Sequence, residues 1–154
     1  MKTHQIDVTR WSAGTPDAAF AALADEAYWP DWSPMDSGEL EQPGPDDPHG
    51  LGAIRCFRTG RSVSRERVVA FAPPHHFAYE LLSGLPLRNY RADVELRPRD
   101  GGTEIHWHST FHAKVPMTGW IYRLALTRFI GQVADGLAAH AAVTTGSGAP
   151  SAPR

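Results

Sequence analysis

Few side chains in this chain could carry chemistry, and most of them lie in segments of alternating polarity. The run Arg61-Ser62-Val63-Ser64-Arg65-Glu66-Arg67-Val68-Val69-Ala70-Phe71 holds one carboxylate between two arginines. Read as a strand, its side chains alternate between two faces. Ser62, Ser64, Glu66, Val68 and Ala70 share one face; Val63, Arg65, Arg67, Val69 and Phe71 share the other. Periodicity leaves both orientations open: the second set is bulkier, but it would bury two arginines, which is costly. With the first set inward, Glu66 would sit in apolar surroundings, where desolvation raises a carboxyl pKa and suits it to general acid–base work near neutral pH. Tyr79 or Tyr90 can donate a hydrogen bond to a developing oxyanion, and Arg55 can hold a carbonyl or a carboxylate. Each group also has a plainer reading. Glu66 and Arg55 can pair inside the sheet, and buried tyrosines are commonly core residues with a satisfied hydroxyl.

Histidines form a second constellation. In His106-Trp107-His108-Ser109-Thr110-Phe111-His112, three of them share one strand face, and histidines at i, i+2 can share a metal. A metal site needs three or four convergent ligands with outer partners, which this run does not supply, so no metal is expected. Pro45-Asp46-Asp47-Pro48-His49-Gly50 reads as a turn-rich loop. There is no G-x-S-x-G, no GxxxxGK[ST], no HExxH and no GxGxxG, and no cofactor is expected.

The elements that must position these groups follow from pattern. The 154 residues suit one domain, and such a domain buries roughly 68–70% of the surface its unfolded chain exposes. A net charge of −2 argues against a nucleic-acid partner, which calls for a basic face. Cys56 is the only cysteine, so no internal disulfide forms. No run approaches the ~20 apolar residues of a membrane span, and the first residues lack a signal-peptide pattern. A cytoplasmic protein, monomeric or homodimeric and without a membrane partner, is expected.

Gln5 to Trp11 reads as a first strand. Thr15, Pro16 and Asp17 then mark a helix start, with Thr15 as its cap. Pro30 and Pro34 limit the bulky segment Glu26 to Pro34 to a short helical turn. Met35 to Glu41, Ala53 to Thr59, Ser62 to Phe71, His76 to Ser83, Arg88 to Leu96 and Thr103 to Ala113 read as strands. Their short connections, Arg97 to Gly102 among them, imply an antiparallel meander. Beyond Pro116 the period becomes 3.6: Leu126, Phe129, Ile130, Val133 and Leu137 form a stripe, with Trp120, Ile121 and Leu124 in the preceding turns. A helix from about Thr118 to Ala142 follows, and residues 143–154 read as a flexible tail. The plan is α+β, a curved antiparallel sheet of about seven strands around one long C-terminal helix, with a space between them.

Alternation then assigns inward faces. Ile105, Trp107, Ser109 and Phe111 belong inside, as do Phe77, Tyr79 and Leu81, and Tyr90, Ala92, Val94 and Leu96. Phe57 goes inside, accompanied by Arg55 and Thr59. With Phe129 and Val133 from the helix, these residues describe apolar walls broken by a few orienting groups, the usual make-up of a small-molecule site.

These residues resemble a known superfamily. The bulky Tyr28-Trp29-Pro30-Asp31-Trp32 after a short helix, Arg65 to Gly84, Asn89 to Leu96, Gly101 to Phe111 and a long final helix are similar to START-like, helix-grip proteins. More narrowly they resemble the bacterial polyketide cyclase/dehydrase (SRPBCC) type, from about Gln5 to Ala142. The resemblance implies an internal cavity for a small apolar or aromatic molecule, and either catalysis of cyclisation or dehydration or a non-catalytic carrier or sensor role. In the related plant abscisic-acid receptors, the serine and glutamate matching Ser64 and Glu66 face the cavity. This places Arg65 and Arg67 outside. Those receptors also hold their ligand's carboxylate with a lysine near the position of Pro34. Here the only lysines are Lys2 and Lys114, so a hormone-receptor reading fails. The same receptors close their cavity with a Ser-Gly-Leu-Pro on the preceding hairpin. In this chain Ser83-Gly84-Leu85-Pro86-Leu87 is expected at the cavity rim, with Leu85 and Leu87 as an apolar lid.

Overall fold

The computed structural model describes residues 2–147. Strand β1 (His4–Ser12) is followed by α1 (Pro16–Ala24) and a short 3₁₀ helix (Glu26–Asp31). Six strands come next: β2 (Ser37–Gln42), β3 (Ile54–Thr59), β4 (Ser62–Ala72), β5 (His76–Ser83), β6 (Leu87–Arg99) and β7 (Gly102–Ala113). The last element is α2 (Gly119–Ser147). The strands form one sheet in the order β1-β7-β6-β5-β4-β3-β2, and every neighbouring pair is antiparallel. The two short helices carry the chain from one sheet edge to the other, and the meander returns to pair β7 with β1.

Local chemistry accounts for the ends of the elements. Thr15 Oγ1 accepts from the Ala18 amide at 3.1 Å, one of the amides a helix start leaves unpaired, and Pro16 stands where its missing N–H costs nothing. Asp25 caps the 3₁₀ helix in the same way through the Ala27 amide at 3.3 Å. The β6–β7 connection is tighter than the expected Arg97–Gly102 loop, because Pro98 and Arg99 pair with Thr103 and Gly102. Only Asp100 and Gly101 turn, with φ of 51° and 76°, the two positive values of a type I′ hairpin that Asp-Gly favours.

Two departures concern α2. It continues to Ser147, so residues 143–147, expected in the tail, are helical; residues 148–154 lie outside the described residues. Ile130, Val133, Ala134, Leu137 and Ala141 are buried against the sheet and the short helices, whereas Trp120, Ile121 and Leu124 are exposed together with Met117. Among the described residues no helix is long and apolar enough to cross a membrane.

The C-terminal half of α2 is held by backbone contact. A Cβ at Gly136 would stand 1.8 Å from the Trp32 carbonyl oxygen, and one at Gly14 would stand 2.3 Å from that of Ala141. Ser12 Oγ also donates to the Ala138 carbonyl at 2.6 Å. Gly136→Ala is expected to lower unfolding free energy by about 1–3 kcal/mol through overpacking. Urea denaturation showing wild-type stability would disprove this close approach.

Candidate functional site

On β4 the concave face carries Glu66 and Val68, both buried, while Arg65 and Arg67 point to the convex side. There Arg65 binds the Glu41 carboxylate (Nη2–Oε2 2.6 Å) and Arg67 binds Glu80 (2.9 Å). A bulge between Val68 and Ala70 then reverses the alternation, so Phe71 packs edge-on against Phe20 and Phe77. Both faces of this strand therefore supply inward residues, one before the bulge and one after it. That is why a single period could not orient it.

Arg55 and Glu66 are directly paired across β3 and β4. The Arg55 side chain is wholly buried; Nη2 donates to Glu66 Oε1 at 2.9 Å and Nη1 to the Leu23 carbonyl at 2.8 Å. Its guanidinium carbon lies 5.0 Å from the ring centres of Trp29 and Phe57, 4.9 Å from Phe77 and 5.7 Å from Tyr79. Aromatic faces offer a buried cation the negative side of their quadrupole. Arg55 thus sits in a ring of four aromatics behind Glu66.

In front of Glu66 lies a cavity of about 250 Å³. Of the sequence-predicted residues it is lined by Glu66, Ser64, Tyr79, Leu81, Leu85, Tyr90, Trp107, Phe129 and Val133. Arg55, Phe57, Phe77, Leu87, Ser109 and Phe111 are buried on the same concave side but do not line it. Alternation identifies a face, not a depth along the sheet. Phe57 is covered by Trp29, Phe77 by Phe20, and Phe111 is stacked between His4 and Tyr90. Ser109, paired with Ile6 and Ala92 on the flanking strands, is sealed within the sheet's inner face. Leu87 opens β6 opposite Ala113 and is buried there, leaving Leu85 as the tip residue at the cavity.

Trp29, Met35, Ser62, Gly84, Leu126 and Ile130 also line the cavity and were missed as site residues; Thr59, expected to face inward with Phe57, lines it too. The helical stripe already contained Leu126 and Ile130 at the right spacing from Phe129 and Val133. Trp29 and Met35 come from a proline-interrupted segment whose lack of period gives no direction. Thr59 and Ser62 are the paired strand ends that flank the β3–β4 turn, and Gly84 and Leu85 belong to the β5–β6 turn. Gly84 (φ 119°) lies so close to β4 that a Cβ would stand 2.5 Å from the Val63 carbonyl oxygen. These two tips and the first half of α2 frame the opening.

Among the described residues, Glu66 is the only charged one in the lining. Burial pushes its carboxyl up, and the Arg55 cation offsets this only in part. Burial likewise drives Tyr79 well above the ordinary phenol range and Tyr90 up to about 12, with Glu66 adding to both. Both phenols therefore stay protonated across the neutral range, as donors.

A group whose folded pKa is raised binds its proton more tightly in the folded state, so stability falls as pH rises through that pKa. For Glu66 the fall begins near its ordinary value of 4.5. Asp93 acts oppositely: despite burial, hydrogen bonds from Arg91 and His76 hold it low. The stability of wild type minus that of Glu66→Gln isolates the Glu66 contribution. It is expected to decline with pH from about 4.5 upward, and a flat or rising difference in pH-dependent denaturation would refute the raised carboxyl.

Residues 3–142 match the model of the family described as polyketide cyclase / dehydrase and lipid transport. The crystal structure of Ara h 8.0201 is similar at TM-score 0.71 and 18% identity, covering 91% of this chain and 98% of that one. TTHA0849 from Thermus thermophilus is similar at TM-score 0.69 and 14% identity, over 92% and 99% of the two chains. XoxI from Bacillus cereus is similar at TM-score 0.71 and 16% identity, over 90% and 94%. No curated protein matches the sequence. The curved seven-stranded sheet gripping a long C-terminal helix is the Bet v 1-like, START-like arrangement, and the chain belongs to the polyketide cyclase/dehydrase and lipid-transport family of that superfamily.

Proposed function

We propose that the cavity receives a small apolar or aromatic molecule of polyketide type, and that Glu66 moves protons on it in an aldol-type cyclisation or a dehydration. One observation carries this reading: the sole carboxylate among the described residues of a mostly apolar lining is buried and raised toward the range where it can both take and give a proton. The cavity volume of about 250 Å³ suits a molecule somewhat smaller than the drug-sized ligands of typical sites.

In the reaction, the Glu66 carboxylate takes a proton from a carbon flanked by carbonyls. The resulting enolate carbon attacks a second carbonyl of the same molecule, a carbon–carbon bond forms, and the new alkoxide takes the proton back from Glu66. Dehydration moves a further C–H proton to the carboxylate, the carbon–carbon double bond forms as the carbon–oxygen bond breaks, and Glu66 returns that proton to the departing hydroxyl, so the net loss is one water. Tyr79 and Tyr90, protonated and on the same wall, donate to the enolate oxygen. Arg55 does not reach the cavity; it is a positioning residue that holds one Glu66 oxygen. No cofactor enters this scheme, no nucleic acid is a partner, and the reading keeps the protein cytoplasmic, as a monomer or homodimer.

The Arg55 bond to Glu66 Oε1 also favours a second reading, a carrier or sensor in which Glu66 is structural. Turnover separates the two. Glu66→Gln is expected to lower turnover of an authentic polyketide substrate by about 10²–10⁴-fold, the usual worth of a positioned acid–base group. Unchanged turnover would remove the catalytic role, and a ligand recovered with its covalent structure intact would identify a carrier.

The rim turn gives a further expectation. Leu85 covers the cavity edge from a tip braced by two backbone hydrogen bonds, the Leu87 amide to the Leu85 carbonyl at 2.8 Å and the Lys114 amide to the Pro86 carbonyl at 3.1 Å. Hydrogen exchange across residues 84–87 is expected to slow when ligand is bound. Exchange that ligand leaves unchanged would reduce the tip to ordinary turn packing.

A further inference from the structure

The face of β7 opposite Trp107 carries a constellation that the cavity does not use. His106 and His108 point to the convex side of the sheet, and their rings stack with centroids 4.5 Å apart. Glu95 of β6 is paired with His106 across the strands, and Asp7 of β1 is paired with His108. Glu95 Oε2 lies 3.2 Å from both His106 Nδ1 and His108 Nε2. On its other side, His106 Nε2 lies 2.9 Å from Asp7 Oδ1.

A neutral imidazole has one N–H and one lone pair. His106 therefore satisfies one of its two carboxylates by donating, and the other contact needs a positive charge between nitrogen and oxygen. The shorter contact assigns the N–H to Nε2, facing Asp7, which leaves the Nδ1 lone pair aimed at Glu95. The two 3.2 Å contacts are long for charge-assisted hydrogen bonds, which run about 2.7–2.9 Å. They match the ligand-to-ligand separation of about 3.3 Å in a tetrahedral site with bonds near 2.0–2.1 Å. All three atoms lie within 4.8 Å of one another. Arg97 approaches Glu95 only through the other oxygen, Oε1, at 3.9 Å, so Oε2 is left to face the two rings.

We propose that His106 Nδ1, His108 Nε2 and Glu95 Oε2 bind a divalent transition-metal ion, with Asp7 holding the His106 ring from behind. A carboxylate on the far nitrogen of a ligating histidine fixes its tautomer and raises its basicity. Two imidazoles and one carboxylate without a thiolate suit Cu²⁺, Ni²⁺ or Zn²⁺, with Cu²⁺ the tightest by the general order of affinities. Three protein ligands on a half-exposed face leave coordination positions to water. The third ligand comes from a different strand, which is why the histidine run alone did not announce a site.

The test is titration of metal-free, untagged protein with Cu²⁺ and with Zn²⁺ against a chromophoric chelator. One equivalent is expected to bind, and His108→Ala and Glu95→Gln are each expected to weaken binding by more than tenfold. Asp7→Asn, which touches no metal, is expected to cost about 10–100-fold. The electron paramagnetic resonance spectrum with Cu²⁺ should show coupling to two nitrogens in wild type and to one in His108→Ala. His49→Ala is the control for the Asp25–Glu26–His49 cluster, the other grouping of possible ligands among the described residues, and should bind as wild type does. Absence of stoichiometric binding would overturn the site, as would affinity unchanged in His108→Ala and Glu95→Gln or lost in His49→Ala. So would nuclear magnetic resonance showing His106 protonated on both nitrogens with metal added, since a proton would then account for both contacts.

Discussion

A guanidinium with no exposure to water must be neutralised where it lies, and the architecture around the cavity follows from how the terminal nitrogens of Arg55 are paired. Its two terminal nitrogens bind Glu66 on the neighbouring strand and the Leu23 carbonyl near the end of α1, joining the sheet to the first helix. The four surrounding aromatics come from the 3₁₀ helix, β3 and β5. Removing one partner of such a buried pair generally costs about 3–5 kcal/mol, because the other charge is stranded. The chain consequently cannot place Trp29, Phe57, Phe77 and Tyr79 independently of one another.

The same arrangement places a carboxylate at the boundary between two environments. Behind Glu66 is a fully occupied cation cage; before it is an apolar space bounded by Tyr79, Tyr90 and Trp107. Arg55 restrains the carboxylate in position, while burial works against its charge more strongly than the cation supports it. A carboxylate in open solvent would have neither property.

Much of the fold was legible in the sequence. The period-two runs, the Thr15-Pro16 start and the 3.6-period stripe each rest on local rules, and local rules located nearly every element. The Asp-Gly turn was read too wide because Pro98 is a poor strand residue in isolation, yet here it pairs in the ladder with Thr103. The site was less legible. Alternation gave the facing of Tyr79, Tyr90 and Trp107, but it could not tell these from Phe57, Phe77 and Phe111, which face the same way and are covered by Trp29, Phe20 and His4. Covering partners arrive from distant segments, and no local period encodes them. The Val68–Ala70 bulge hid the orientation of β4 for a related reason, since both of its faces contribute inward residues.

The glycine contacts of α2 have a mechanical consequence. At Gly136 and Gly14 the helix meets other segments through main-chain atoms, so its C-terminal half shifts only if the Trp32 and Gly14 backbones shift with it. At Gly119 the nearest neighbour is the His4 ring, a side chain stacked on Phe111, rather than main chain. α2 is therefore a beam clamped at one end and only propped at the other. Leu126, Phe129 and Ile130 of the cavity wall lie between the two ends, so that wall is anchored from its C-terminal side by main-chain contact.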